Sequence, residues 1–148
     1  MGTDKALIAH LYRRAGFGST PELLEELSKK DYDTIVDDLV EIENVGDLPD
    51  EDILSRYYPQ LQSTDNFGMD NTKWFYRMIN SKKPLQEKMT LFWHHVFATA
   101  WYKGEHTPSQ LAQIDTFRKN GLSDINTILL DLAKDPAMNY WLDNCENH

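Results

Sequence analysis

The sequence predicts an all-α protein, an irregular multi-helix bundle of about seven to eight helices. Three observations carry this. Four prolines stand where a helix can begin, at Thr20-Pro21, Lys83-Pro84, Thr107-Pro108 and Asp135-Pro136, and three of them follow a residue suited to N-capping. Apolar residues recur at helical spacing between those marks. Alternating β-branched runs joined by tight glycine turns, the signature of strands, are missing.

The first helix is expected over about Asp4 to Ala15, with Leu7, Ile8, Leu11, Tyr12 and Ala15 inward. Gly16 is its expected stop, since glycine enters a left-handed cap without strain. The second follows Thr20-Pro21 and buries Leu23, Leu24 and Leu27; the third runs from Tyr32 to Ile42 with Ile35, Val36 and Leu39 inward. Residues 43–69 are rich in acidic and turn residues, which marks a mobile connection with a short helix near Asp50 to Tyr57. Tyr57, Tyr58, Leu61 and Phe67 are the groups that can pin it. Asp70 then caps a helix carrying Trp74, Phe75, Met78 and Ile79. Further helices are expected from Pro84 to about Ala100, from Pro108 to Asn120 with Gly121 as its end, from Asp124 to Lys134, and from Pro136 onward.

The chain has 148 residues, 41% hydrophobic and 26% charged, which suits a single helical domain or a fragment of one. Its net charge of −9 argues against nucleic acid, because phosphate binding needs a basic stripe; Arg13-Arg14 and Lys82-Lys83 are too small to supply one. No run of eighteen apolar residues is present to cross a membrane, and the N-terminus lacks the order of a signal peptide. Cys145 is the only cysteine, so no internal disulfide or thiolate cluster can form.

The stretch EKMTLFWHHVFATAW at 87–101 raises the sharpest chemical question. On a helical wheel Leu85, Met89, Phe92, Trp93, Val96 and Ala100 share one broad face. His94 falls almost opposite, with Glu87, Leu91 and Ala98, and His95 lies between. The two rings diverge by about 100°, so they do not chelate one small ion from a single helix. Neither has a histidine four residues on, which excludes the HExxH type of zinc site. Glu87 and His94 share a face but stand roughly 10 Å apart along the axis, so a partner for His94 has to come from another helix. One reading makes His94 a core histidine bonded to a carbonyl or carboxylate; the other makes it functional.

Two further clusters carry polar chemistry. Asp143, Asn144, Glu146, Asn147 and His148 follow Tyr140-Trp141, an oxygen-rich set that can hold a hard divalent cation or simply end a helix in solvent. Candidate metal ligands are therefore His94, His95, Asp143, Glu146 and His148, and candidate binding residues Asp143, Asn144 and Glu146. Arg13-Arg14 closes the first helix, where arginine suits the macrodipole and can also grip a carboxylate. His94, Glu87 and Arg14 are the catalytic candidates. Cys145 as a nucleophile has no evident activator, and Trp101, Tyr102 and His106 are expected in a loop that can line a cleft.

Three stretches, HLYRRAGFG at 10–18, PLQEKMTLFWHHVFAT at 84–99 and LAKDPAMNYWLDNCENH at 132–148, resemble the bacterial family known as domain of unknown function 1800. The resemblance implies a mostly helical fold and no established activity. It also implies a longer chain, continuing into a second Asn- and Glu-rich segment, so this sequence reads as the N-terminal portion of a larger helical domain. Relatives often show His-x-His-Phe after Phe-Trp; here His94 fills the first position and Val96 the second, so a two-histidine mechanism would need His95 to substitute. Relatives often carry export signals, which this chain lacks.

Two classes of function follow. The favoured one is a binding or scaffold module of a larger, cell-envelope protein, its partner being the rest of its own chain, another protein or a second copy. The alternative is half of an enzyme or metal-dependent site built on His94, Glu87, Arg14 and the Asp143–Glu146 cluster.

Overall fold

Side-chain caps fix where most of the helices begin. The computed structural model describes residues 2–48, 56–58 and 67–146, and every helix boundary below refers to them. Asp4 accepts from Ala6 N at the head of α1 (Lys5–Ala15), Thr20 from Leu23 N at α2 (Pro21–Leu27), and Asp31 from Asp33 N at α3 (Tyr32–Val40). A 3-10 turn over Ile42–Asn44 follows. The later helices are α4 (Phe67–Asn80), α5 (Pro84–Val96), α6 (Trp101–Gly104), α7 (Thr107–Asn120), α8 (Ile125–Leu132) and α9 (Pro136–Trp141), with a last 3-10 turn at Asn144–Glu146. Asp124 caps α8 and Asp135 caps α9. The fold class is all-α, with nine α-helices and no strand among the described residues.

Several expected boundaries are corrected. α4 is already helical at Phe67, which puts Asp70 inside its first turn rather than at its cap; acidic residues favour both places, because both face the positive end of the helix dipole. Thr107 is the first residue of α7, and His106, at the cap position, makes no capping bond. α3 stops at Val40 rather than Ile42. α5 stops at Val96 rather than near Ala100, and Phe92 and Val96, expected on its buried face, are each 48% exposed. Leu7 is 45% exposed because α1 turns the Ile8–Tyr12 stripe inward instead. Of the short helix expected near Asp50 to Tyr57, residues 50–55 lie outside the described residues and Arg56 and Tyr57 are helical. Leu61 and the Phe67 side chain also lie outside them, as does most of the 43–69 connection.

Gly16 is a glycine for a different reason than expected. Its φ of −153° is extended, and the positive angle belongs to Gly18 at 112°. A Cβ on Gly16 would stand 3.0 Å from Pro84 Cβ and 3.2 Å from Tyr12 O, so space rather than conformation demands glycine.

The chain divides into two compact units, one of Met1–Pro49 with Tyr76–Lys88 and one of Asp50–Phe75 with Met89–His148. The core of the first joins Ile8 and Tyr12 of α1, Leu27 of α2 and Ile35 and Leu39 of α3, with Leu11, Ala15, Leu23, Leu24 and Leu85 packed around them. Thr3 ties the N-terminal arm to the α2–α3 turn, its N–H donating to Ser28 O at 3.0 Å and its hydroxyl to Lys30 O at 2.9 Å.

The second unit is built on aromatic rings. Phe117 of α7 and Ile128 and Leu132 of α8 form its buried centre, with Trp93, Phe97 and Met138 against it. Trp93 stacks on Phe97 at 5.7 Å and Phe97 on Phe117 at 6.4 Å. The Trp93 indole donates to Gly121 O at 2.8 Å, and a Cβ on Gly121 would crowd that ring at 3.2 Å.

Beside these rings runs a buried polar chain. Asp135, 6% exposed, accepts from Met138 N at 2.7 Å as the cap of α9 and from Gln113 Nε2 at 2.9 Å. Gln113 in turn presents Oε1 to the Thr99 hydroxyl at 2.7 Å, and Gln110 lies 2.8 Å from the same hydroxyl. Thr99 has one hydrogen to give, and Gln113 is oriented by the acceptor-only carboxylate; the Gln110 amide can turn its NH2 toward Thr99. Asp135→Ala removes a cap and strands the fully buried Gln113 amide at once. We expect it to cost about 2–4 kcal/mol in urea unfolding, and Asp124→Ala, which removes a cap on the exposed surface, to cost clearly less. Equal losses would show that the buried chain adds nothing.

Candidate functional site

His94 lies in the last turn of α5, within the second unit. The helix ends at Val96, and Thr99 beyond it bonds the α7 glutamines. Phe97 N still donates to Trp93 O at 2.8 Å, but Ala100 is extended at φ −137°, ψ 139°. One helical turn follows, α6, closed by Glu105 in the left-handed region at φ 44°. This detour places Thr99, Ala100, Trp101 and Tyr102 opposite one face of α7, formed by Thr107, Gln110, Leu111 and Ile114 at helical spacing.

Between them is a cavity of about 430 Å³, which Asn71 and Trp74 of α4 and the His94 ring complete. Its volume falls in the range of small-molecule sites. Its described lining is aromatic and aliphatic with neutral polar groups, and contains no Asp, Glu, Lys or Arg.

The Trp74 and His94 rings meet edge to face, 5.3 Å between centroids at 77°. Trp74 Nε1 and His94 Nδ1 are both buried, and neither has a hydrogen-bond partner among the described residues. Such groups are rare, because leaving one unpaired costs about 1–3 kcal/mol. Burial lowers the His94 pKa below its ordinary 6.5, which keeps the imidazole neutral, with one nitrogen free to accept.

The other expected site residues are elsewhere. Glu87 is buried at 1% exposure and Arg14 is exposed; both belong to the first unit. His95 is exposed. Asp143, in the left-handed region at φ 58°, accepts from Lys103 Nζ at 2.8 Å, and the same ammonium donates to Trp141 O at 2.7 Å. Lys103 also sits 5.7 Å from the centre of the Trp141 ring, against which Tyr102 packs at 5.7 Å. Asn144 donates to Asn139 Oδ1 at 3.2 Å, and Glu146 is exposed. His148 and the Cys145 side chain lie outside the described residues. Among the described residues no group of three or more His, Cys, Asp or Glu is placed to hold a metal ion. No helix among them is long and apolar enough to cross a membrane.

Trp101 and Tyr102 line the cavity from a helical turn rather than the expected loop. His106, grouped with them in the sequence, instead pairs Nδ1 with Ser109 Oγ at 2.7 Å. Sequence reasoning missed Asn71, Gln110, Leu111 and Ile114 and treated Trp74 as packing. The one available signal was polar Gln110 and Gln113 in a helix whose neighbouring positions are apolar.

A family model described as "Protein of unknown function (DUF1800)" matches residues 10–148. No curated protein and no solved structure matches the chain.

The buried imidazole gives a pH test. The unfolded chain protonates His94 with an ordinary pKa near 6.5, whereas the folded chain holds it neutral to lower pH. The unfolded state therefore binds more protons as pH falls through 6.5, and folded stability drops until the folded pKa is passed. Urea midpoints measured from about pH 7.5 down to about pH 5 should fall in the parent protein, and His94→Phe should flatten that fall. An identical slope in the variant would show that His94 is not its source.

Proposed function

Because the chain belongs to the DUF1800 family of proteins of unknown function, we propose that its activity is binding, and that the seat is the cavity beside His94. The observation that carries this is a pair of buried ring nitrogens with no hydrogen-bond partner among the described residues, on two side chains that line an apolar cavity. Architecture alone gives no account of them, since a purely structural histidine would normally have its ring nitrogens bonded. A ligand, or a partner protein's side chain, that combines apolar surface with a polar atom gains from leaving water there and can meet those nitrogens at the same time.

The C-terminal cluster then supports the binding reading in a different role. Lys103 is held by Asp143 and by the Trp141 carbonyl, so the acid cluster braces α6, which carries the cavity wall. A scaffold role for a larger assembly is compatible with the same seat.

A second reading keeps His94 as one member of a catalytic or metal-binding set. It is favoured by the same neutral imidazole, whose Nδ1 has no hydrogen-bond partner among the described residues. Metal content of the purified protein beside His94→Ala separates the two: a drop in bound metal supports ligation, and equal content removes His94 as a ligand.

The binding reading is tested by ligand-observed NMR with a library of small aromatic fragments. Hits are expected to compete for one site and to weaken at least about tenfold in Leu111→Trp, a variant that fills the cavity. Far-UV circular dichroism should confirm that this variant keeps its helices. Fragments that bind Leu111→Trp as well as the parent, or no hits at all, would refute it.

A further inference from the structure

We propose that the ligand of this cavity is uncharged and carries a hydroxyl group that sits between the Trp74 indole N–H and the His94 imidazole. The inference rests on the binding reading above and narrows it to a chemical class.

Charge is excluded by the walls. A carboxylate or phosphate would enter a space whose described lining contains no Lys or Arg, and an ammonium one without Asp or Glu. Transfer of an ion to such surroundings is strongly unfavourable. The nearby carboxylate, Asp135, is already engaged by Gln113 Nε2 and Met138 N and does not line the cavity. Thr99 and Gln110 do line it, but they are bonded to each other and to Gln113.

The two ring nitrogens supply the chemical signature. An indole Nε1–H can only donate, so it needs an acceptor on the ligand. Under this proposal His94 takes the tautomer with its proton on Nε2, in which Nδ1 accepts and so needs a donor. A hydroxyl is both in one atom: its lone pair takes the Trp74 hydrogen and its own hydrogen goes to His94 Nδ1. A ketone satisfies only the indole, an ether likewise, and a hydrocarbon neither. The rings are 5.3 Å apart at their centroids and both nitrogens are buried, so a hydroxyl reaches them only when a ring turns to admit it from the cavity that both side chains line. The aromatic and aliphatic remainder of the wall, Trp101, Tyr102, Leu111 and Ile114, suits an apolar body of one or two rings.

A matched trio tests it: 4-ethylphenol, 4-ethyltoluene and 4-ethylbenzoate, titrated at neutral pH into the full chain and followed by the indole N–H resonances of the four tryptophans. Trp74→Phe identifies which resonance belongs to Trp74. We expect 4-ethylphenol to bind about tenfold more tightly than 4-ethyltoluene, 4-ethylbenzoate to bind most weakly, and the Trp74 N–H to move downfield with the phenol alone. Trp74→Phe and His94→Phe keep a ring in place and should each bring the phenol's affinity close to that of ethyltoluene. If phenol and ethyltoluene bind the parent equally, or the variants keep the preference, the hydroxyl assignment is overturned while the cavity stands as a binding site. If none of the three binds, the binding reading itself falls.

Discussion

The second unit depends on one buried carboxylate. Asp135 caps α9 through Met138 N and holds Gln113 of α7, and Gln113 holds Thr99 in the segment after α5. Three stretches far apart in sequence are thereby linked by one chain of hydrogen bonds. A carboxylate with 6% exposure is costly to desolvate, and it is tolerable here because backbone and side-chain donors share its charge. The Thr99 bond in turn fixes the segment between α5, which ends at Val96, and α6. The polar chain therefore holds in place the stretch that supplies one wall of the cavity.

The same wall is braced from the other side by Lys103. Its ammonium meets the Asp143 carboxylate, the Trp141 carbonyl and the Trp141 ring. An exposed ion pair on its own contributes little, but here the lysine also donates to a carbonyl at the end of α9, where positive charge suits the helix dipole. Two residues adopt left-handed angles to allow this, Glu105 at 44° and Asp143 at 58°. Non-glycine residues there carry strain, which the contacts of α6 with α9 hold in place. The acidic cluster that looked like a cation site in the sequence is thus engaged in part with the protein's own cation.

What was legible in the sequence was local. Thr20 and Asp135 act within three residues of themselves, so their capping could be read directly, and with the helical spacing of apolar residues the all-α class followed; Thr107, read the same way, lies one residue inside its helix. Asp70 was misplaced because an acid suits both a cap and a first turn. The end of α5 was misjudged, and the bond of Thr99 beyond it to Gln113, fourteen residues away, is encoded by no periodicity. Gly16 was recognised as special, yet the reason, the close approach of Pro84, spans the chain and needed the fold. His94 could be singled out from its wheel position and from the resemblance. That its ring meets the Trp74 ring on another helix could not be seen, since an indole at helical spacing reads as core.

The recognisable motif residues can now be sorted by the duty each performs. Tyr12 and Gly16 build the first unit, one as core and one as a space-limited contact. In the second unit Trp93 and Phe97 form the ring stack, Thr99 and Asp135 the buried polar chain, and Leu132 the aliphatic core. Each of these has its polar atoms bonded or its apolar surface covered. His94 differs, because its Nδ1 is buried with no hydrogen-bond partner among the described residues while its ring lines a cavity. An apolar residue of similar size would pack against Trp74 as well and would spare the unit the cost of an unsatisfied nitrogen. That unmet nitrogen is the reason the proposed binding role is placed on His94 rather than on the residues that build the unit. Burial disfavours its charged form, so the group it offers is a neutral imidazole, suited to hydrogen bonding rather than to attracting an anion.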